Sequence, residues 1–342
     1  MNKKILALCD SEEGYILRLG EVLEERSTFP FEVSVFTDIE MLKKEIKKGM
    51  IEAVLISDEL VDSDKDIETN KLVILLDNGN RIVGGHHTIW KFQSGESIRR
   101  ELLKAYSEYT QSMEGSMTKG DGRISLSHRE TIIIGLYTPI GRCLQTSVAI
   151  LLGQLLAKKR SVLYLNFEAF AGLRKILGCE DQKDITDLVY YMRGGANRLV
   201  YKLESLICNI GSLDYISPAA SFVDLCSVDE EDWLTLINTI KMQSDYDYVI
   251  LDLSEMVTGL FNVLKTCDLI YTITRKDALA TAKLQQYENN LQGGEYEDVI
   301  AKTRRCEIPP ISKLPVDITR LEASPLTAVV KSIVGGDLQD AI

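Results

Sequence analysis

Short apolar runs alternate with amphipathic stretches from the fourth residue onward. KILALC (4–9), FEVSVF (31–36), EAVLIS (52–57), KLVILL (71–76) and HTIWKF (87–92) are rich in β-branched and aliphatic residues and predict strands. The segments 14–25, 39–48 and 97–109 carry apolar residues at helical spacing and predict helices. This alternation predicts a doubly wound α/β domain with a parallel sheet, whose sites lie at the carboxyl ends of the strands. Asp10, Asp58 and Lys91 stand at three of those ends, after the first, third and fifth strands.

A second series begins near residue 131. TIIIGL (131–136) predicts a buried strand and VAILLGQLLA (148–157) a buried helix, with TPIGRCLQTS (138–147) between them. SVLYLNF (161–167) predicts a strand that ends at Asn166 with Glu168 behind it. YDYVILDL (246–253) delivers Asp252 to a strand end, and CDLIYTIT (267–274) leads into Arg275, Lys276 and a helix over 278–291. Residues 110–127, rich in Gly, Ser, Thr and Met, have no apolar period and predict a linker. The expected organisation is therefore a domain over 1–109, a linker over 110–127 and a second domain over 128–342. Near the end, Leu326, Val329, Val330, Ile333 and Val334 follow helical spacing and predict a helix packed on the second domain.

Strand, loop and helix in that order are the setting of a phosphate-binding loop. Against the template G-x-x-x-x-G-K-[ST], Pro139 and Leu144 stand at the two glycines, Gln145 at the lysine, and Thr146 keeps the hydroxyl that would ligate Mg²⁺. Most of the phosphate hold in such a loop comes from backbone N–H groups and the positive end of the following helix, neither of which needs the lysine. Arg142 could supply a cation within the loop. Binding is thus expected to outlast hydrolysis, for which Glu168 is the candidate to order a water. The bland alternatives are an ordinary strand-to-helix turn at 145–146, an Asp252 that only bonds backbone amides, and Arg275 and Lys276 as surface charges.

Composition narrows the partners. The 51 acidic residues outnumber the 39 basic ones, and a net charge of −12 repels nucleic acid and anionic lipid at long range, so no nucleic-acid partner is expected. Seven cysteines occur singly without a C-x-x-C, which predicts a reduced, cytoplasmic chain with no zinc site. MNKKILALCDSEE reads as a first strand rather than a signal peptide, and no window reaches the ~18 apolar residues of a membrane span. His86 and His87 would point to opposite sides of a strand, which argues against joint metal binding.

The first series resembles the receiver domain of two-component response regulators, in which an acidic pair, a phosphoacceptor aspartate and a lysine surround one Mg²⁺. That resemblance implies a flavodoxin-like fold and gives Asp58 the phosphoacceptor position. It is broken where Cys9 stands for the first acid, Leu76 or Asp77 for the switch hydroxyl, and Phe92 for the proline after the lysine. The second series resembles the ParA/MinD family of deviant Walker-A ATPases, which are P-loop NTPases. Its K-G-G-x-G-K-[ST]-[ST] falls on Ile140, Gly141, Arg142, Cys143, Leu144, Gln145, Thr146 and Ser147, its D-x-D on Asn166-Phe167-Glu168, and its Walker-B strand on YDYVILD.

The resemblance implies ATP and Mg²⁺ as cofactors. It implies nucleotide contacts from Gly141 through Ser147, Asn166 and Arg275, metal ligation by Thr146 and Asp252, and catalytic roles for Glu168 and Asp252. Both lysines of the deviant motif are replaced, by Ile140 and Gln145.

A receiver-like domain ahead of a MinD-like ATPase is similar to the TadZ/CpaE family, which places tight-adherence (Flp-type) pilus machinery. This implies a homodimer, pilus or secretion assembly proteins as partners, and a cytoplasmic protein recruited to a cell pole or the inner membrane face with at most peripheral membrane contact. Three readings stay open: an ATP-binding protein with weak ATPase activity, a nucleotide-free scaffold, and a response regulator phosphorylated at Asp58.

Overall fold

The computed structural model describes residues 4–25, 29–61, 69, 71–79, 86–113, 131–180, 182–193, 199–311, 313–338 and 341. The chain forms two compact units. The first comprises residues 1–126 with Val200–Ser205, and the second residues 127–199 with 206–342.

The first unit contains β1 (Lys4–Cys9), α1 (Glu13–Glu24), β2 (Phe31–Phe36), α2 (Ile39–Lys47), β3 (Ile51–Ser57), a 3₁₀ turn (Asp58–Leu60), β4 (Leu72–Asp77), β5 (His87–Trp90) and α3 (Gly95–Met113). All five strands are parallel, in the order β2-β1-β3-β4-β5. One sheet face packs Leu6, Leu8, Leu55, Ile74 and Leu76 against Ile16, Leu19 and Leu23 of α1 and Ile98, Leu102 and Tyr106 of α3. The other face sets Ala7, Val54, Ile56 and Leu75 against Leu42 of α2. Alternating side chains of each strand thus serve opposite cores, which is why these strands read as continuous apolar runs. Helix α3 continues to Met113, four residues past the expected 109, into the start of the expected linker. Residues 114–127 of that linker and His128 lie outside the described residues.

After β6 (Ile132–Leu136), α4 (Gln145–Leu156) and β7 (Val162–Asn166) come α5 (Leu173–Ile176), α6 (Ile185–Arg193) and α7 (Leu199–Leu206), of which Val200–Ser205 cluster with the first unit. There follow β8 (Ile207–Ile210), β9 (Leu213–Ile216), α8 (Phe222–Cys226), α9 (Glu230–Gln243), β10 (Tyr248–Asp252), α10 (Leu260–Thr266), β11 (Leu269–Thr274), α11 (Ala278–Leu291), α12 (Glu297–Lys302), β12 (Thr303–Glu307) and α13 (Leu326–Val334).

The second sheet runs β12-β11-β6-β10-β7-β9-β8, parallel throughout except for the antiparallel β8–β9 pair. That pair was not among the expected strands. The two residues Gly211 (φ 66°) and Ser212 join it.

Helix α4 lies on the sheet with nine of its residues buried, from Val148 to Leu156. At Gly153 an added Cβ would come within 2.7 Å of Leu213, so the absent side chain is what lets α4 approach β9. Leu326, Val330 and Val334 of α13 join the same core, in keeping with the expected packed helix. No helix among the described residues is long and apolar enough to cross a membrane.

Candidate functional site

Strand register builds the site first. Asp252, the last residue of β10, pairs with Leu136 of β6 on one side and Asn166 of β7 on the other, so three carboxyl ends finish level. Ser254 Oγ donates to the Phe167 carbonyl at 2.7 Å and the Phe167 N–H to the Asp252 carbonyl at 2.9 Å, which ties the segments beyond the strands together.

The loop from Tyr137 to Leu144 then rises from β6. Thr138 Oγ1 donates to the Ile273 carbonyl at 2.7 Å and accepts from the Ile140 N–H at 3.3 Å, anchoring the loop's start to β11. Three of the next four residues are left-handed: Gly141 at φ 70°, Arg142 at 50° and Leu144 at 69°. Among the described residues, Arg142 and Leu144 are the non-glycine positions with positive φ. They stand where the deviant motif has its second and third glycines, so the glycine-type path persists without the glycines, at a steric cost of about 1–2 kcal/mol each.

Leu144 is the N-cap of α4 and gives it no side-chain cap, so the turn ends with the first-turn N–H groups of α4 uncapped by that residue. The helix starts at Gln145, three residues before the expected 148, because Gln145, Thr146 and Ser147 carry no apolar signal although they form its first turn.

The polar groups at this end converge on Asp252, which is fully buried. Gln145 Nε2 donates to Asp252 Oδ1 at 2.7 Å and to the Leu253 carbonyl at 2.9 Å, so both amide hydrogens are engaged. On the other oxygen, the Tyr164 hydroxyl and Asn166 Nδ2 each donate to Oδ2 at 2.9 Å. Asn166 Nδ2 also donates to the Tyr164 hydroxyl at 3.0 Å, and Asn166 Oδ1 accepts the Glu168 N–H at 3.0 Å.

Every one of these donors is neutral. Burial pushes the Asp252 carboxyl up from its ordinary range, with the Gln145, Tyr164, Thr146 and Asn166 hydrogen bonds pulling the other way. Burial raises Glu168 as well, the Asp252 charge adds to it, and the Thr146 hydroxyl and Asn166 oppose it. Thr146 therefore stands between two carboxyl groups. Burial also raises the Tyr164 hydroxyl well above its usual value, which keeps it a donor.

The remaining expected residues fall around this cluster. Cys143 is buried in the core, its thiol raised by burial, with hydrogen bonds from Thr138 and the backbone of Gln145 opposing that shift. Ser147 is half-buried in the first turn of α4, and Gly141 and Arg142 are exposed. Arg275 follows β11 and is half-exposed, paired with Asp277 at 3.2 Å. Its charge pulls the Cys143 thiol down, against the larger effect of burial. Tyr164 was missed from sequence, where an aromatic in a strand reads as core. Its place two residues before Asn166, on the same face of β7, was the available signal.

In the first unit, Lys91 Nζ lies 2.8 Å from Asp10 Oδ2 and 3.4 Å from Glu12 Oε2, over the Tyr15 ring at 4.7 Å. Asp58 is 2% exposed, and neither of its carboxylate oxygens has a hydrogen-bond partner among the described residues. Cys9 is fully buried, its thiol pushed up to about 12 by burial and the neighbouring Asp10. His87 lies on β5, and no group of three or more His, Cys, Asp or Glu among the described residues could hold a metal ion.

No family model matches the chain, and no curated protein does. Solved structures similar to part of it include a ParA family ATPase from Chlorobium tepidum TLS (18% identity, 60% of this chain and 81% of that one, TM-score 0.44). The MinD cell division protein of Aquifex aeolicus matches at 19% identity over 58% of this chain and 94% of its own (TM-score 0.43). A putative plasmid partition protein from Borrelia burgdorferi B31, bound to AMPPNP, matches at 17% identity over 56% of this chain and 80% of its own (TM-score 0.41).

Proposed function

We propose that the second unit is a MinD/ParA-like nucleotide-binding module that binds ATP and hydrolyses it weakly. The observation that carries this reading is the loop itself. Gly141, Arg142 and Leu144 keep a left-handed path that leads into the N-terminus of α4, where N–H groups and the helix dipole favour an anion. Gly141 through Ser147 would contact phosphates chiefly through the backbone, with Arg275 and Asn166 flanking them.

The residues present fit Mg²⁺, a hard cation that prefers oxygen donors. Thr146 and Asp252 would hold it together with phosphate oxygens, since Mg²⁺ is ordinarily bound by one or two carboxylates plus substrate phosphates. Bound there, the ion would neutralise phosphate charge. Glu168, beside Thr146, is the group to orient a water. Gln145 brings no charge, and without that ammonium the transition state lacks a stabiliser, so turnover is slow.

The finer assignment follows the order of the two units. A receiver-like, flavodoxin-type domain over 1–109, a linker and an ATPase domain over 128–342 support a homodimeric assembly factor for tight-adherence pili, cytoplasmic and recruited to a pole or the inner membrane face. Calorimetric titration with ATP and Mg²⁺, repeated with Thr146→Ala and Asp252→Ala, tests the core of this. Saturable binding weakened by both substitutions is expected, and absence of binding in the unaltered protein sinks the reading in favour of a scaffold. Counting pili on cells that lack the protein tests the role.

A second reading rests on Asp58, buried just after β3 with no hydrogen bond to either carboxylate oxygen among the described residues. Phosphorylation there is tested by labelling with acetyl phosphate. A phosphoryl group absent from Asp58 under conditions that label a control receiver rejects it.

A further inference from the structure

We infer that this loop prefers a nucleoside diphosphate to a nucleoside triphosphate whenever no divalent cation is present. The inference deepens the nucleotide reading above and rests on it. The backbone of the Gly141–Leu144 turn and the N-terminus of α4 suit phosphate groups regardless of side chains. What separates two phosphates from three is the charge that meets the last one.

In this chain the position that ordinarily carries an ammonium holds Gln145, and both hydrogens of its amide are committed to Asp252 Oδ1 and the Leu253 carbonyl. The first position of the D-x-D pattern holds Asn166, whose amide also donates to Asp252. One positive and one negative charge have thus been exchanged for two amides that serve the same carboxylate. Thr146 itself bonds two acidic groups, Asp252 and Glu168.

Arg275 is half-exposed and paired with Asp277, while Arg142 is exposed. A third phosphate would therefore add negative charge next to two carboxylates with no ammonium between them. A divalent cation shared by that phosphate, Thr146 and Asp252 would cancel the repulsion, so the preference is confined to metal-free conditions.

The test is calorimetric titration of the full chain with ADP and with ATP, each in EDTA and again with Mg²⁺, together with Glu168→Gln and Gln145→Lys. In EDTA, ADP is expected to bind at least about tenfold more tightly than ATP, an effect of like charges a few ångströms apart at low effective dielectric. Added Mg²⁺ closes most of the gap. Each variant narrows it in EDTA, Glu168→Gln by removing a repulsive charge and Gln145→Lys by supplying an attractive one, and unchanged melting curves certify the fold of whichever variant is used. ATP binding as tightly as ADP in EDTA overturns the inference, as does a gap that neither variant moves. Failure of both nucleotides to bind, with and without Mg²⁺, overturns the underlying nucleotide reading instead.

Discussion

Gln145 and Asp252, 107 positions apart in sequence, are joined by a 2.7 Å hydrogen bond from Nε2 to Oδ1 that bridges the first turn of α4 and the end of β10. The same amide reaches the Leu253 carbonyl, so Gln145 ties the start of α4 down onto the sheet. Gln145→Ala strands one lone pair of a buried carboxylate and one carbonyl, and is expected to destabilise the second unit by about 1–3 kcal/mol. Gln145→Lys supplies an ammonium beside the same carboxylate and is expected to raise affinity for MgATP about tenfold or more. Urea denaturation measures the first effect and calorimetry the second. Equal stability of Gln145→Ala and the unaltered chain would show that the tie contributes nothing.

Much of this arrangement was legible from residue order, and what was not has definite physical reasons. YDYVILD marks β10 because a strand buried on both faces needs an unbroken apolar run, and the carboxylate at its end stands out against it. Helix α11 likewise begins where Asp277, whose Oδ1 accepts the Ala280 N–H, caps it. The start of α4 was hidden because its first turn is polar and its N-cap, Leu144, is a residue type that rarely adopts a left-handed conformation. The β8–β9 pair escaped notice although Gly211-Ser212 between two apolar runs is a hairpin signal. Tyr164 reads as core in an apolar strand, and its spacing from Asn166 hinted at a shared face, but the shared partner Asp252 emerges only from the pairing of β7 with β10.

The left-handed loop makes its own test. Leu144 at φ 69° tolerates glycine without strain, whereas a β-branched side chain there would clash with the backbone. Leu144→Gly is therefore expected to keep nucleotide binding and change stability by no more than ~1 kcal/mol, relief of strain offsetting the added freedom of the unfolded chain. Leu144→Val should be less stable than Leu144→Gly by about 1–2 kcal/mol and bind more weakly. Identical melting curves for the two would mean that the loop does not hold this path in solution.

Acid titration probes the two raised carboxyls. Because the folded-state values of Glu168 and Asp252 lie above those of the unfolded chain, their contribution to stability is fully present below the ordinary carboxylate range and is lost as pH rises through the raised values. Glu168→Gln has no such proton to lose. It should therefore gain stability over the unaltered protein as pH rises above the ordinary carboxylate range, with the two converging toward the acid end. Urea unfolding across that range checks the sign. A variant that loses stability relative to the unaltered protein as pH rises would contradict the burial argument.

Among the described residues of the first unit, one buried carboxylate is paired and another is not. Asp10 is fully buried and takes its charge compensation from Lys91 at 2.8 Å, itself 3% exposed. Lys91→Met removes that cation while leaving the carboxylate in place, which costs about 3–5 kcal/mol in such settings. Asp58 is the opposite case. Its oxygens accept nothing among the described residues, so Asp58→Ala removes two buried acceptors without a bond there and is expected to stabilise the unit by about 1–3 kcal/mol. The chain has two tryptophans, Trp90 at the end of β5 and Trp233 in the second unit. In a Trp233→Phe background, indole fluorescence during denaturation therefore reports the first unit alone. A stabilised Asp58→Ala with a destabilised Lys91→Met identifies Asp58 as a carboxylate held at a cost to folding, the condition expected of a group kept for chemistry. A destabilised Asp58→Ala would instead make Asp58 a structural residue and remove the support for the second reading.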